Sequence, residues 1–213
     1  MKRKQIAILV VPLISFLIGV YYYHLMPERM AVHWSVFGQM NGYISKLFGL
    51  FLMPLTILLT SGIFLAIPYI DPLKANIAKS RKQYDTFAII LIVFLLVLYI
   101  DMILWNLGIR NDLVKTSGLA IVLYYTGIYL ENVKPNWFIG VRTPWTLSNE
   151  VVWNKTNKVG GKLLKIISFV QIIGIMFPNI LRYSLAVPLV LEAGFLFIYS
   201  YVQYQKEIGQ KEG

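Results

Sequence analysis

Residues 86–107 read TFAIILIVFLLVLYIDMILWNL, an apolar run whose only charge is Asp101. At about 1.5 Å of rise per helical residue the run spans roughly 33 Å, enough to cross the hydrocarbon core of a bilayer. Further apolar runs flank it at Gln5–Leu25, Leu47–Ile70, Leu113–Leu130, Leu163–Leu181 and Tyr183–Tyr204. Lys115 and Lys165 lie in the first turns of the fourth and fifth and must snorkel to reach water. Composition agrees: 57% of residues are hydrophobic and 14% charged, and mean hydropathy is +0.63, too apolar for an ordinary soluble domain. The reading is an all-α integral membrane protein built as one six-helix bundle. Lys2, Arg3 and Lys4 before the first run resemble a signal peptide, but no small-x-small cleavage site follows, so the run reads as a retained anchor.

Orientation follows from lysine and arginine, which collect in short cytoplasmic loops. With the N-terminus inside, 15 of the 20 basic residues fall on the inner side and Arg29, Lys46, Arg110, Lys115 and Arg182 on the outer. Both termini are therefore expected in the cytoplasm, and the net charge of +10 faces anionic lipid. No basic helix stands apart from a span, which argues against direct nucleic-acid binding. The chain divides on paper into residues 1–70, two spans joined by the outer loop 26–46, and residues 71–213, a four-span core holding the inner loop 131–162.

The outer loop, MPERMAVHWSVFGQMNGYISK, is punctuated by Pro27, Gly38 and the turn-forming pair Asn41-Gly42. Between them Met30, Val32, Trp34 and Val36 alternate as in a short extended segment. Trp34, Phe37 and Tyr43 fit a ligand-contacting cap, and equally the aromatic belt of a membrane interface. In the inner loop Thr143-Pro144 marks a helix start, and Ser148 with Glu150 offers a second cap. A short amphipathic helix is expected over Asn149–Val159, ending at a Gly160-Gly161 hinge. Arg142 is suited to hold a lipid phosphate or a partner carboxylate by two hydrogen bonds, whereas Trp137, Trp145, Trp153 and the lysines also fit a plain interfacial anchor. Asp101 and Glu192 lie at similar depth on two spans; they form either a polar ligand- or proton-binding site, with Asn106 or Gln171 nearby, or carboxyls that lock helices together.

Little supports catalysis. There is no cysteine and only His24 and His33, no nucleophile triad or phosphate loop, and Pro27 separates the residues a metal site would need. The expectation is no enzyme, no metal and no cofactor.

Two motifs carry a resemblance. Pro27, His33, Gly38, Asn41-Gly42 and Lys46 look like the N-terminal DUF1648-like module of the SdpI family, the immunity proteins against the sporulation-delaying protein toxin. The run Phe138–Leu147, FIGVRTPWTL, followed by Glu150, Trp153, Lys155-Thr156 and Gly160-Gly161, resembles that family's inner-loop signature nearly residue for residue. Asn41 stands where Asp is common and Asn157 where His is common, so a role tied to that imidazole is in doubt. The resemblance implies immunity to a secreted membrane-active peptide, and extends to recruiting a transcriptional repressor inside. It points to Pro27, His33, Trp34, Gly38, Asn41, Gly42 and Lys46 as ligand contacts, and to Gly140, Arg142, Thr143, Pro144, Trp145, Thr146, Glu150 and Trp153 as partner contacts. The reading from another class is a small transporter or channel using Asp101 and Glu192.

Overall fold

The computed structural model describes residues 3–35, 40–110, 112–177, 181 and 183–212. Gly38, with Val36 and Phe37, lies outside the described residues, as do Lys2, the Pro178-Asn179 turn and Arg182. The elements are α1 (Arg3–Tyr22), a 3-10 turn (Tyr23–Leu25), β1 (Arg29–Trp34), β2 (Met40–Ser45), α2 (Lys46–Ile70), α3 (Lys74–Lys79), α4 (Arg81–Asn106), α5 (Asp112–Asn132), α6 (Pro144–Ser148), α7 (Glu150–Gly174) and α8 (Ala186–Glu212). Among the described residues five helices are long and apolar enough to cross a membrane: Lys4–Leu25, Lys46–Ile70, Arg81–Asn106, Leu113–Asn132 and Ala186–Gly209.

Two expectations for the inner loop are corrected. The amphipathic helix and the run read as the fifth span are one continuous helix, α7, that runs through Gly160-Gly161, ends at Gly174 instead of Leu181, and is not among the five. Local propensity favours a break at paired glycines, but close packing outweighs it. A Cβ on Gly161 would lie against the Gly127 carbonyl of α5, and one on Gly160 would meet Leu196 of α8 at 3.0 Å. The helix start is also one residue later than expected: Asn149, not Ser148, caps α7, its Oδ1 accepting from the backbone N–H groups of Val151 (2.8 Å) and Val152 (3.1 Å).

Contacts divide the chain into two compact units, Met1–Leu65 with Ala88–Leu119, and Ala66–Phe87 with Ala120–Gly213. In the first unit α4 is bonded to both α2 and the outer loop. Tyr99 Oη donates to the Leu50 carbonyl at 2.8 Å, beside a core of Met26, Met30, Leu50, Met102 and Ile103. Gly19 lets α1 approach this point, since a Cβ there would stand 2.8 Å from Tyr99 Oη and 3.2 Å from the Leu50 carbonyl.

The outer loop is an antiparallel hairpin, with Arg29 opposite Ser45, Met30 opposite Ile44 and Ala31 opposite Tyr43. The expected extended segment is present, but Asn41-Gly42 is not its turn. Both residues lie inside β2, where the register shifts twice and Gly42 faces His33. A bulge accommodates the same residues as a turn, and here a Cβ on Gly42 would come within 2.8 Å of His33 Cβ.

In the second unit the start of α4 and the end of α5 meet through aromatic rings. Phe87 stacks on Tyr129 at 5.5 Å, and Tyr84 approaches Tyr129 edge-on at 6.1 Å.

Candidate functional site

In the first unit the hairpin is held to the end of α4 by one amide. Asn106 Oδ1 accepts from the Ala31 N–H at 2.8 Å, and Asn106 Nδ2 donates to the Ala31 carbonyl at 3.0 Å and to Met102 O at 2.8 Å. A side-chain amide thus pairs with β1 as a neighbouring strand would. Trp34 packs edge-on against Trp105 at 5.3 Å, and the Arg110 guanidinium sits 4.9 Å from the centre of the Trp105 ring. The Trp34 Nε1 atom is buried with no hydrogen-bond partner among the described residues.

The remaining outer residues brace the same hairpin. His33 Nδ1 and Asn41 Oδ1 share a hydrogen bond of 2.6 Å. Lys46 pairs with Glu28 at 2.7 Å, donates its backbone N–H to the Glu28 carbonyl at 2.9 Å, and lies 5.0 Å from the Tyr23 ring centre. Pro27 is exposed in the link from the 3-10 turn to β1. These residues form one structure on one loop, and sequence reading missed Asn106 as its clasp.

Asp101 also has a partner in this unit, because Lys115 of α5 approaches it at 3.7 Å. The lysine read as merely snorkelling is placed to neutralise a carboxylate that would be costly alone in hydrocarbon.

The inner loop is in the second unit, where Thr143, Thr146, Trp153, Thr156, Gly160 and Gly161 of its signature are buried. Trp153 is fully buried, and its Nε1 donates to the Val133 carbonyl at 3.0 Å. Gly140 has φ +145°, and a Cβ there would stand 2.7 Å from the Trp153 ring. Asn157 Oδ1 accepts from Val141 N–H at 2.7 Å, while its Nδ2 donates to Trp153 O at 3.0 Å. Asparagine therefore bridges loop and helix here with no titratable imidazole.

Thr143 and Thr146 close a capping box on α6: Thr146 N–H donates to Thr143 Oγ1 at 3.2 Å, and Thr143 N–H to Thr146 Oγ1 at 2.8 Å. The expected start at Thr143-Pro144 is thus observed, and α6 is latched to α8. Thr143 Oγ1 donates to Ser200 Oγ at 3.0 Å, Trp145 packs on Phe197 (4.9 Å) and Tyr201 (5.1 Å), and Lys155 pairs with Glu207 at 2.7 Å.

Two residues outside the signature sew the loop to the preceding one. Buried Asp71 accepts from the N–H of Leu73 (2.6 Å) and of Trp137 (3.0 Å), and Asn76 Nδ2 donates to Pro135 O at 3.0 Å. Asn136 folds the turn, its Oδ1 accepting from the N–H groups of Phe138 (2.9 Å) and Ile139 (2.7 Å). Asp71, Asn136 and Ser200 were not anticipated as parts of this site; their only sequence signal is a polar residue beside an apolar run.

Trp153, Thr143 and Thr146, read as partner contacts, are buried. Arg142, Pro144 and Glu150 are exposed, with Trp137, Phe138 and Leu147. Arg142 has no hydrogen-bond or ion-pair partner among the described residues. Glu192 of α8 is buried, and Gln171 is bonded by Ser184 Oγ.

Comparison with known proteins matches residues 132–201 to the SdpI/YfhL protein family and residues 8–58 to a domain of unknown function, DUF1648. A curated relative, the immunity protein SdpI of Bacillus subtilis (strain 168), is 29% identical over 172 residues, 80% of each chain. No solved structure matches. The first match contains the latch between α6 and α8, and the second covers α1, the hairpin and the start of α2. The chain is therefore similar to the SdpI/YfhL family over residues 132–201 and is a multi-pass protein of the cell membrane.

Proposed function

We propose that the chain is an immunity protein that protects its cell from a secreted membrane-active peptide, with six spans and both termini in the cytoplasm. The similarity to the SdpI immunity protein over 80% of both chains carries the reading. Expression in a bacterium lacking its own immunity gene is expected to raise survival under the sporulation-delaying peptide above that of a vector control. Unchanged survival, with the protein present in the membrane, overturns the reading.

The orientation has its own test, made clean by the absence of native cysteine. A cysteine at Ser148 is expected to resist a membrane-impermeant thiol reagent in intact cells while one at Ser35 reacts. Labelling of Ser148→Cys from outside would place the inner loop on the wrong face and remove one crossing from the six.

Under the same reading the exposed inner surface around Arg142 recruits a cytoplasmic repressor. A guanidinium with no partner among the described residues is available for a charge-assisted pair worth about 1.5–3 kcal/mol. Arg142→Ala is expected to weaken membrane recruitment of the repressor about ten- to a hundredfold while leaving protection intact. Loss of protection at normal membrane abundance would make the inner loop part of immunity itself. Transport through Asp101 and Glu192 is less well supported, because Lys115 already compensates Asp101.

A further inference from the structure

The two edges of the outer hairpin are finished differently. On β1 the outward backbone groups at Ala31 are both taken by Asn106. Opposed residues in an antiparallel ladder alternate between pairs bonded to each other and pairs whose N–H and C=O turn away from the partner strand. Ala31 faces Asn106, so Ala31 and Tyr43 are a pair of the second kind. The N–H and C=O of Tyr43 therefore point out from the far edge of β2, and so does the N–H of Ser45, two residues on.

Among the described residues no backbone group closes that edge. Although the hairpin is short and bulged, β2 reads MNGYIS, with no charged residue and no proline. Proteins normally blunt a free edge with one or the other. Asn41, Tyr43 and Ser45 are exposed on β2, with the Arg29 guanidinium 5.9 Å from the Tyr43 ring centre.

We infer that the β2 edge receives an extended segment of the peptide toxin by strand addition, pairing with the backbone of Tyr43 and Ser45 as Asn106 pairs with Ala31. The inference rests on the immunity reading and gives it a mode of capture. Main-chain pairing supplies attraction, and the exposed Tyr43 ring supplies a contact for alternate side chains. A short hairpin held by Asn106 at Ala31, by the Glu28–Lys46 pair and by Met30 packing over Gly49 offers the β2 edge already ordered, which lowers the entropic cost of binding.

The test uses the full-length protein in nanodiscs and the synthetic sporulation-delaying peptide. Binding to the wild type comes first; if it is absent, the immunity reading fails before the edge is in question. Tyr43→Pro removes an outward N–H without touching the bonds between β1 and β2, and is expected to weaken binding by about tenfold or more. Tyr43→Ala, which keeps the N–H, is expected to lose much less. Slow hydrogen exchange at Ala31 in Tyr43→Pro shows that the hairpin persists.

A second measurement leaves the protein unaltered. N-methylation along the peptide is expected to weaken binding at alternate positions over a short stretch, because only every second N–H faces the edge. Equal binding by Tyr43→Pro, equal losses in both variants, or no alternation along the peptide each overturns strand addition. So does a dimer of the chain, seen without peptide, that Tyr43→Pro dissociates, since the edge then belongs to a second copy.

Discussion

Trp153→Ala is expected to release the inner loop and cost about 3–5 kcal/mol, the range for removing a large aromatic side chain from a packed core. The ring is fully buried, closes over Gly140 and donates to the Val133 carbonyl. Truncation opens a cavity and leaves that carbonyl without its donor. Trp153→Phe retains most of the packing and loses mainly the hydrogen bond, so about 1 kcal/mol or somewhat more is expected. The measurement is trypsin cleavage after Arg142 in the detergent-solubilised protein, together with the thermal midpoint. Cleavage in Trp153→Ala at the wild-type rate would show that the loop is held by something other than this ring.

Gly161→Leu is the second large effect. The α5–α7 crossing is reciprocal: a Cβ on Gly127 would meet the Gly161 carbonyl at 2.5 Å, and one on Gly161 would meet the Gly127 carbonyl and Glu131 Cγ, the latter at 2.7 Å. The obstacle is backbone, so no rotamer change relieves it and the helices must separate. The Lys165–Glu131 pair at 2.8 Å, one turn along, separates with them. Overpacking costs about 1–3 kcal/mol where neighbours can adjust; here the upper end or beyond is expected, read as a lower thermal midpoint and reduced membrane abundance. Gly62→Ala and Gly194→Ala are the controls, since nothing lies within 4 Å of either added Cβ. Both are expected to be neutral or stabilising by up to about 1 kcal/mol. If Gly161→Leu behaves like these controls, the close approach of α5 and α7 does not occur in the folded protein.

Features legible in the sequence were those whose cause is local or compositional. Long apolar runs announce membrane helices because the bilayer reads only length and polarity. Thr143-Pro144 announces α6 because a cap and a pre-set φ act within one turn. The alternation from Met30 to Trp34 announced a strand for the same reason. Misread features had remote causes. Gly160-Gly161 signals a hinge until Gly127 is brought against it from 34 residues away. Asn41-Gly42 signals a turn because turn and bulge draw on the same backbone freedom. Trp153 shows an apolar face, and periodicity does not say whether that face meets lipid, a partner or the chain's own loop. Asp71, Asn106 and Asn157 act through side-chain hydrogen bonds to distant backbone, and no spacing rule reports those.

The bond from Asp71 to Trp137 also fixes an order of assembly. The two residues are 66 apart in the chain, so at 5–20 residues per second the carboxylate is made roughly 3–13 s before its distant donor. Until then the segment around Asp71 and Asn76 has no surface to close against. A nascent chain stopped short of residue 133 should expose that segment to protease, and one extended past residue 157 should hide it. The inner face is thus completed late in biogenesis, and chains that stall early carry an open site for quality control to cut.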